Sequence, residues 1–266
     1  MITLTPLDLA LASLLVFVLA FTSFRMRLSL ERTLIIAAIR TTVQLLLIGM
    51  VLKVLFESIS LLLITVLSLL MLLIAGREVM VRQRHRFIGW QGFGIGTVAM
   101  FVSSFSVTLL TLLVVIGNDP WYQPQYAIPL LGMLLGNTMN GISLGLDRLT
   151  TTAWSQRREI EARLMLGHTA VEAIAGIRRE SIRVGMMPII NAMAAAGIVS
   201  LPGMMTGQIL AGAPPLEAVK YQILIMFLIA AGTGFGTLAS VYMGSRGLFD
   251  ERERLRLDRL VEGGSR

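Results

Sequence analysis

Apolar runs of bilayer-crossing length recur along the whole chain, at Leu7–Phe24, Leu34–Phe56, Ile59–Ala75, Phe93–Ile116, Tyr126–Leu146, Val184–Ser200 and Leu216–Tyr242. A helix needs roughly 20 apolar residues to cross the hydrocarbon core, where no water can satisfy a bare backbone. The seven runs therefore predict an all-α membrane protein of about seven transmembrane helices. Composition agrees: 55% of the 266 residues are hydrophobic and only 15% are charged, against about 25% charged in soluble domains. The polar intervals reach only about 30 residues, too short to bury a core of their own. Residues 1–266 thus read as a single membrane domain, with the lipid bilayer as its first partner. The start of the chain lacks the basic n-region of a secretory signal, so the first run is read as a retained span.

The net charge of +7 does not point to nucleic acid, because the basic residues are confined to alternate loops. All 23 Lys and Arg except Arg40, Lys53 and Lys220 fall in the loops after the first, third and fifth runs or in the tail from Arg246. Basic loops stay on the cytoplasmic side, so the N-terminus is expected outside and the C-terminus inside. The charged tail, 246–266, reads as a solvated helix or frayed end.

The longest basic interval is the segment 147–183. Within Arg157–Arg183, Ile160, Leu164, Gly167, Val171, Ile174 and Ile177 recur at helical spacing. The pattern breaks at Gly167-His168, and Thr169 with Glu172 has the spacing of a capping box that restarts a helix. Two short helices with a turn are expected, lying at the membrane surface with a free tip.

Polar groups inside the spans mark candidate pathway positions. Arg40 lies about 10 Å into the second span at 1.5 Å per residue, with Gln44 one turn on. The pair either snorkels to the surface or faces a cavity. The fifth span carries Gly132, Gly136, Asn137, Asn140, Gly141 and Gly145, a pattern for close helix packing or for lining a path. Ser103, Ser104, Ser106 and Thr108 can return their hydroxyls to their own helix. Between the last two spans, Pro202, Gly203 and Gly207 interrupt an apolar stretch. That stretch reads as a broken or re-entrant helix lining a cavity, with Met204, Met205 and Gln208 on the path, or as an external loop.

Several chemistries lack their residues. There is no cysteine, which removes disulfides and thiolate metal sites. No span carries the buried carboxylate pair common in proton- or sodium-driven transporters. The two lysines precede Val54 and Tyr221, so a phosphate-binding G-x-x-x-x-G-K-[ST] loop is missing.

Glu161-Ala162-Arg163 through Gly167 resembles the "EAA…G" coupling loop of ABC-transporter permeases, with Arg163 in place of the second alanine. Arg40-Thr-Thr-Val-Gln44, Gly136-Asn137-Thr-Met139-Asn140, Asn191-Ala-Met193 and the Gly197–Gly212 text resemble the FetB family of iron-export ABC permeases, whose plant relatives are linked to aluminium tolerance. The resemblance covers nearly the whole chain. It implies a bacterial inner-membrane permease, no cofactor in this chain, and ATP and Mg on a separate FetA-like ATPase. It also implies two permease and two ATPase subunits, with iron or another metal as the exported substrate. Coupling would run through Glu161, Ala162, Gly167, Thr169 and Glu172, and transport past Arg40, Gln44, Asn137, Asn140, Asn191, Met204, Met205 and Gln208. An ATPase-independent secondary transporter or channel is the alternative, and a non-transporting subunit that drives an external partner is disfavoured by the short outer loops.

Overall fold

A computed structural model describes residues 5–57 and 60–262. It divides into two compact units, one ending at Ser60 and the other beginning at Leu61. In the first, α1 (Pro6–Arg25) and α2 (Glu31–Glu57) form a helical hairpin. Thr5 and Asp8 close a capping box at the start of α1, and the Ser23 hydroxyl accepts from the Leu30 N–H at 3.3 Å in the turn.

The second unit runs through α3 (Leu61–Val81), β1 (His85–Phe87) and α4 (Trp90–Met100). The α4 rod continues through a π-helical turn (Phe101–Phe105), α5 (Ser106–Leu110) and a second π-helical turn (Thr111–Ile116). Then come α6 (Pro124–Ser155), α7 (Arg157–Met165), α8 (Ala170–Ala173), α9 (Ala175–Ala195), α10 (Gly203–Leu210), α11 (Pro215–Gly247), a 3₁₀ turn (Leu257–Arg259) and β2 (Leu260–Glu262).

Among the described residues, six stretches are helical, long and apolar enough to cross a membrane: Leu7–Arg25, Glu31–Glu57, Leu61–Val81, Trp90–Ile116, Pro124–Ser155 and Pro215–Gly247. The run expected as the sixth span, Val184–Ser200, is the second half of α9, which ends at Ala195. The first half of α9 carries Arg178, Arg179, Glu180 and Arg183, so one helix serves both the polar segment and the apolar run. Helix α3 also continues beyond the expected Ala75 and carries Glu78, whose side chain is only 12% exposed and lies 3.7 Å from Arg82 Nε. A partly buried carboxylate therefore sits in the last turns of a spanning helix that was expected to end before it, with a cation beside it.

The centre of this unit is a three-helix crossing without side-chain padding. Gly185 of α9 meets α6 so closely that a Cβ there would lie 2.6 Å from the Gly141 carbonyl oxygen and 2.6 Å from Thr237 Cγ2. A Cβ on Gly145 would meet Val241 Cγ2 at 3.0 Å. The close-packing reading of the α6 glycines holds for Gly141 and Gly145, whereas Gly136 faces open space. Small residues allow such backbone approach in lipid, where dispersion rather than water exclusion drives association. Along α4 and α5, Thr97, Ser103 and Thr108 donate to their own helix carbonyls, while Ser104 reaches Thr138 of α6 at 3.3 Å.

The tail differs from the expected free helix or frayed end. Its strand β2 pairs antiparallel with β1, His85 opposite Glu262 and Phe87 opposite Leu260. Leu248, Phe249 and Leu260 are buried in the same core as Phe87, Leu149 and Ile160. Burial of these apolar side chains outweighs the solvation of their charged neighbours, several of which are exposed (Glu251, Arg252, Glu253, Arg254) while Arg259 turns back to donate to the Gly247 and Phe249 carbonyls. Residues 263–266, the end of the expected tail, lie outside the described residues.

Candidate functional site

The segment expected to couple is built as a stiff hairpin. Helix α7 follows α6 after one non-helical residue, Gln156. At its end the His168 N–H donates to the Arg163 carbonyl (3.2 Å) and the Gly167 N–H to the Leu164 carbonyl (3.0 Å). With Gly167 at φ +89°, this is a Schellman closure, which satisfies the last carbonyls of a helix and uses a left-handed residue to do so. Two residues later Thr169 caps α8. Its side chain accepts from the Glu172 N–H, and the Glu172 carboxylate accepts from the Thr169 N–H at 2.9 Å. The turn thus leaves few loose backbone groups and has little freedom to move.

Arg163, the departure from the coupling-loop pattern, has a structural use. It pairs with Glu159 at 2.6 Å and donates to the Ala173 carbonyl at 3.4 Å, bridging the two arms. The two arms enclose a small cavity of about 120 Å³ beside Ile160, Ala173 and Ile177. Of the expected apolar stripe, Ile160 and Ile174 are buried. Val171 is half exposed, because the turn at Gly167 restarts the helix in a new phase. The base of the hairpin is tied to the tail, where Glu253 accepts from the Ala170 N–H at 3.2 Å.

The tip carries what sequence reasoning overlooked. Met165 is 82% exposed and Leu166 80%, side by side on a turn that cannot fold them away. Glu161, Ala162, Gly167, Thr169 and Glu172 are exposed around them. The sequence signal is an apolar pair at the end of a short helix rich in charge.

The Glu172 carboxyl is held below the ordinary carboxylate range, first by the Thr169 N–H and then by the Thr169 hydroxyl. A depressed folded pKa means stability that is present above the unfolded value and lost as pH falls through the folded one. Hydrogen exchange at the Ala170–Ala173 amides, corrected for its intrinsic pH dependence, is expected to rise through that acidic window. Glu172→Gln should abolish the pH-dependent rise. Thr169→Ala should speed exchange there at neutral pH, by the equivalent of about 1 kcal/mol. Unchanged exchange in both variants would remove the capping argument.

The expected pathway residues sit on four helices, α2, α6, α9 and α10. Arg40 and Gln44 lie one turn apart on α2, both exposed. Asn137 is exposed and donates to the Met133 carbonyl of its own helix at 2.9 Å. Asn140 accepts from Arg82 at 2.7 Å, which links the end of α3 to the middle of α6. Asn191 is exposed on α9. Met204, Met205 and Gln208 lie on α10, which is a separate short helix as the breakers require. It packs along the first turns of α11, and the Met205 N–H donates to Gln222 at 3.3 Å. The Gln208 side-chain Oε1 is buried without a hydrogen-bond partner among the described residues.

Fold and site together define a multi-pass helical membrane protein with a polar helical hairpin and an apolar tip at one end. Residues 6–249 match the family described as "Uncharacterised protein family (UPF0014)", and the chain belongs to it. It is 40% identical over 233 residues to the UPF0014 membrane protein slr1647 of Synechocystis sp., covering 86% of this chain and 87% of that one. It is 32% identical over 250 residues to the probable iron export permease protein FetB of Escherichia coli, covering 93% of each. It is 32% identical over 233 residues to the protein ALUMINUM SENSITIVE 3 of Arabidopsis thaliana, covering 87% of this chain and 83% of that one. No solved structure matches the chain.

Proposed function

We propose that this chain is the membrane permease of an ABC-type transporter, driven by ATP hydrolysis on a separate ATPase subunit and exporting iron or another metal. The observation that carries the reading is the hairpin tip: Met165 and Leu166 bare on a turn locked by Gly167 and Thr169. A large apolar pair held rigidly in water is a docking feature. The relative named a probable iron export permease supports the transport class and the metal. The working unit is two permeases with two ATPases, with the hairpins at the cytoplasmic face.

Closure of the ATPases would push the tip, and α6 and α9 would move together because Gly141 and Gly185 lock them. Such a push does transport work only if substrate contacts differ between the two states. The exposed α6 face at Gly136, Asn137 and Asn140, with Asn191, the α2 pair Arg40 and Gln44, and the α10 residues Met204, Met205 and Gln208, would supply them.

The test is ATP hydrolysis by the chain co-expressed with its ATPase in proteoliposomes, titrated with Fe²⁺ and a metal panel. Stimulation by iron and release of iron from the hydrolysing side are expected. A stable complex indifferent to every metal would discard the metal, and transport without any ATPase would discard the ABC class.

A further inference from the structure

Two arginines converge on one ring at the base of the hairpin, neither of them in an ion pair among the described residues. Arg178, partly buried near the start of α9, places its guanidinium carbon 5.3 Å from the centre of the Tyr242 ring. Arg246, in the last turn of α11, lies 4.7 Å from the same ring and donates to the Tyr242 hydroxyl oxygen at 3.2 Å. Among the described residues, the cations that form ion pairs are others, such as Arg163, Arg183, Arg254 and Arg256.

The two side chains open onto a cavity of about 240 Å³, lined also by Ser245 and by Asp250, Glu251 and Glu253 of the tail. Two of these carboxylates are already engaged. Asp250 accepts from Arg254 Nε at 2.9 Å and from the Arg252 and Arg254 N–H groups. These bonds, the Arg254 N–H first, hold its pKa below the usual range. Glu253 is turned to the Ala170 N–H. Only Glu251 remains, exposed at the rim.

Two like charges against one aromatic ring, held by cation–π contacts and one hydrogen bond to the ring hydroxyl and with no ion pair of their own among the described residues, make a seat for an anion. Planar guanidinium forks match phosphate oxygens. The level suits a headgroup: α11 leaves its apolar stretch here, tyrosine favours the membrane–water boundary, and basic pockets between spanning helices take anionic headgroups.

We infer that Arg178, Tyr242 and Arg246 form a phosphate-binding site that joins α9 to α11 beneath the hairpin. This inference does not rest on the transport reading.

The test uses the full-length chain, delipidated in detergent and followed by thermal unfolding. The arms are short-chain phosphatidylglycerol, the zwitterionic phosphatidylcholine, and inorganic phosphate. Phosphatidylglycerol is expected to raise Tm, and the Arg178→Gln/Arg246→Gln variant to lose more than half of that rise. A rise with inorganic phosphate as well would assign the site to soluble phosphate compounds, and a rise with phosphatidylglycerol alone to lipid. Arg179→Gln/Arg183→Gln removes the same charge from neighbouring exposed positions and should keep the full rise. If this control loses as much as the paired variant, or if none of the phosphate ligands raises Tm, the site is refuted. Should the glutamine variant fail to fold, Arg178→Lys/Arg246→Lys, which keeps the charge and removes the forks, is expected to bind at least tenfold more weakly. Unchanged affinity there would refute the site equally.

Discussion

Gly185→Leu is expected to abolish the folded protein. Even a single methyl at this position would sit 2.6 Å from the Gly141 carbonyl oxygen, 2.6 Å from Thr237 Cγ2 and 3.3 Å from the Gly145 nitrogen. Overpacking costs about 1–3 kcal/mol where side chains can yield. Here two of the three obstacles are backbone atoms of a neighbouring spanning helix, so α6 and α9 must separate and abandon the contacts on both sides of the crossing. The cost therefore exceeds that range, and against a total stability whose lower end is about 5 kcal/mol the opened crossing leaves little folded protein. The measurement is the monodisperse fraction and Tm in detergent, with Gly94→Leu as control because nothing lies within 4 Å of a Cβ there.

A second comparison separates the causes. For Gly141→Ala the nearest obstacles are the Thr233 methyl at 2.6 Å and the Thr237 hydroxyl at 2.8 Å, and the Gly185 carbonyl is farther at 3.0 Å. Thr233→Ser should therefore restore part of the stability lost in Gly141→Ala, a coupling that a double-mutant cycle reads directly. It should restore none of the loss in Gly185→Ala. Equal rescue of both, or a Gly185→Leu protein as stable as wild type, would show that the helices do not cross as described.

The spanning helices were legible because the bilayer imposes one rule, a long apolar run, that needs no partner to be recognised. The hairpin was legible for a related reason: capping box and Gly167 closure are local, satisfied within a few residues. What escaped notice depended on distant parts of the chain. Leu255, Leu257 and Leu260 lie among charges, and only the folded-back tail, with β2 paired to β1, buries Leu260 and packs the other two, partly buried, against the core. Glu78 looked like a loop residue because the charges after Ala75 resembled the end of a span, whereas α3 runs on to Val81 with Arg82 as counter-charge. The role of Gly141 and Gly145 as against Gly136 could not be told from spacing, since all share the same helix and only their neighbours differ. Arg40, Gln44, Asn137 and Asn140 stand out in the sequence by polarity within apolar runs. Polarity names a residue that needs a partner, and for Asn137 and Asn140 the partners are the Met133 carbonyl and Arg82.

On the proposed ABC reading, Met165→Asp/Leu166→Asp is expected to leave the chain folded and inserted but unable to hold the ATPase subunit. Both side chains are at least 80% exposed, so their loss from the free chain removes almost no packing. Burying a large aliphatic side chain stabilises by about 1.5–3 kcal/mol. Two such anchors seated in a groove would supply about 3–6 kcal/mol, which is roughly a 100- to 10,000-fold change in affinity. The measurement is capture of the purified ATPase by the detergent-solubilised variant, alongside its Tm. Gly167→Pro should behave differently. It removes the N–H that closes onto the Leu164 carbonyl and forbids φ +89°, so the anchors remain but the turn that presents them is broken. That variant should still bind the ATPase weakly while ATP hydrolysis no longer responds to substrate. Binding at wild-type affinity by the double aspartate variant would show that the tip is not the docking point. Substrate-stimulated hydrolysis that survives Gly167→Pro would show that force does not pass through this turn.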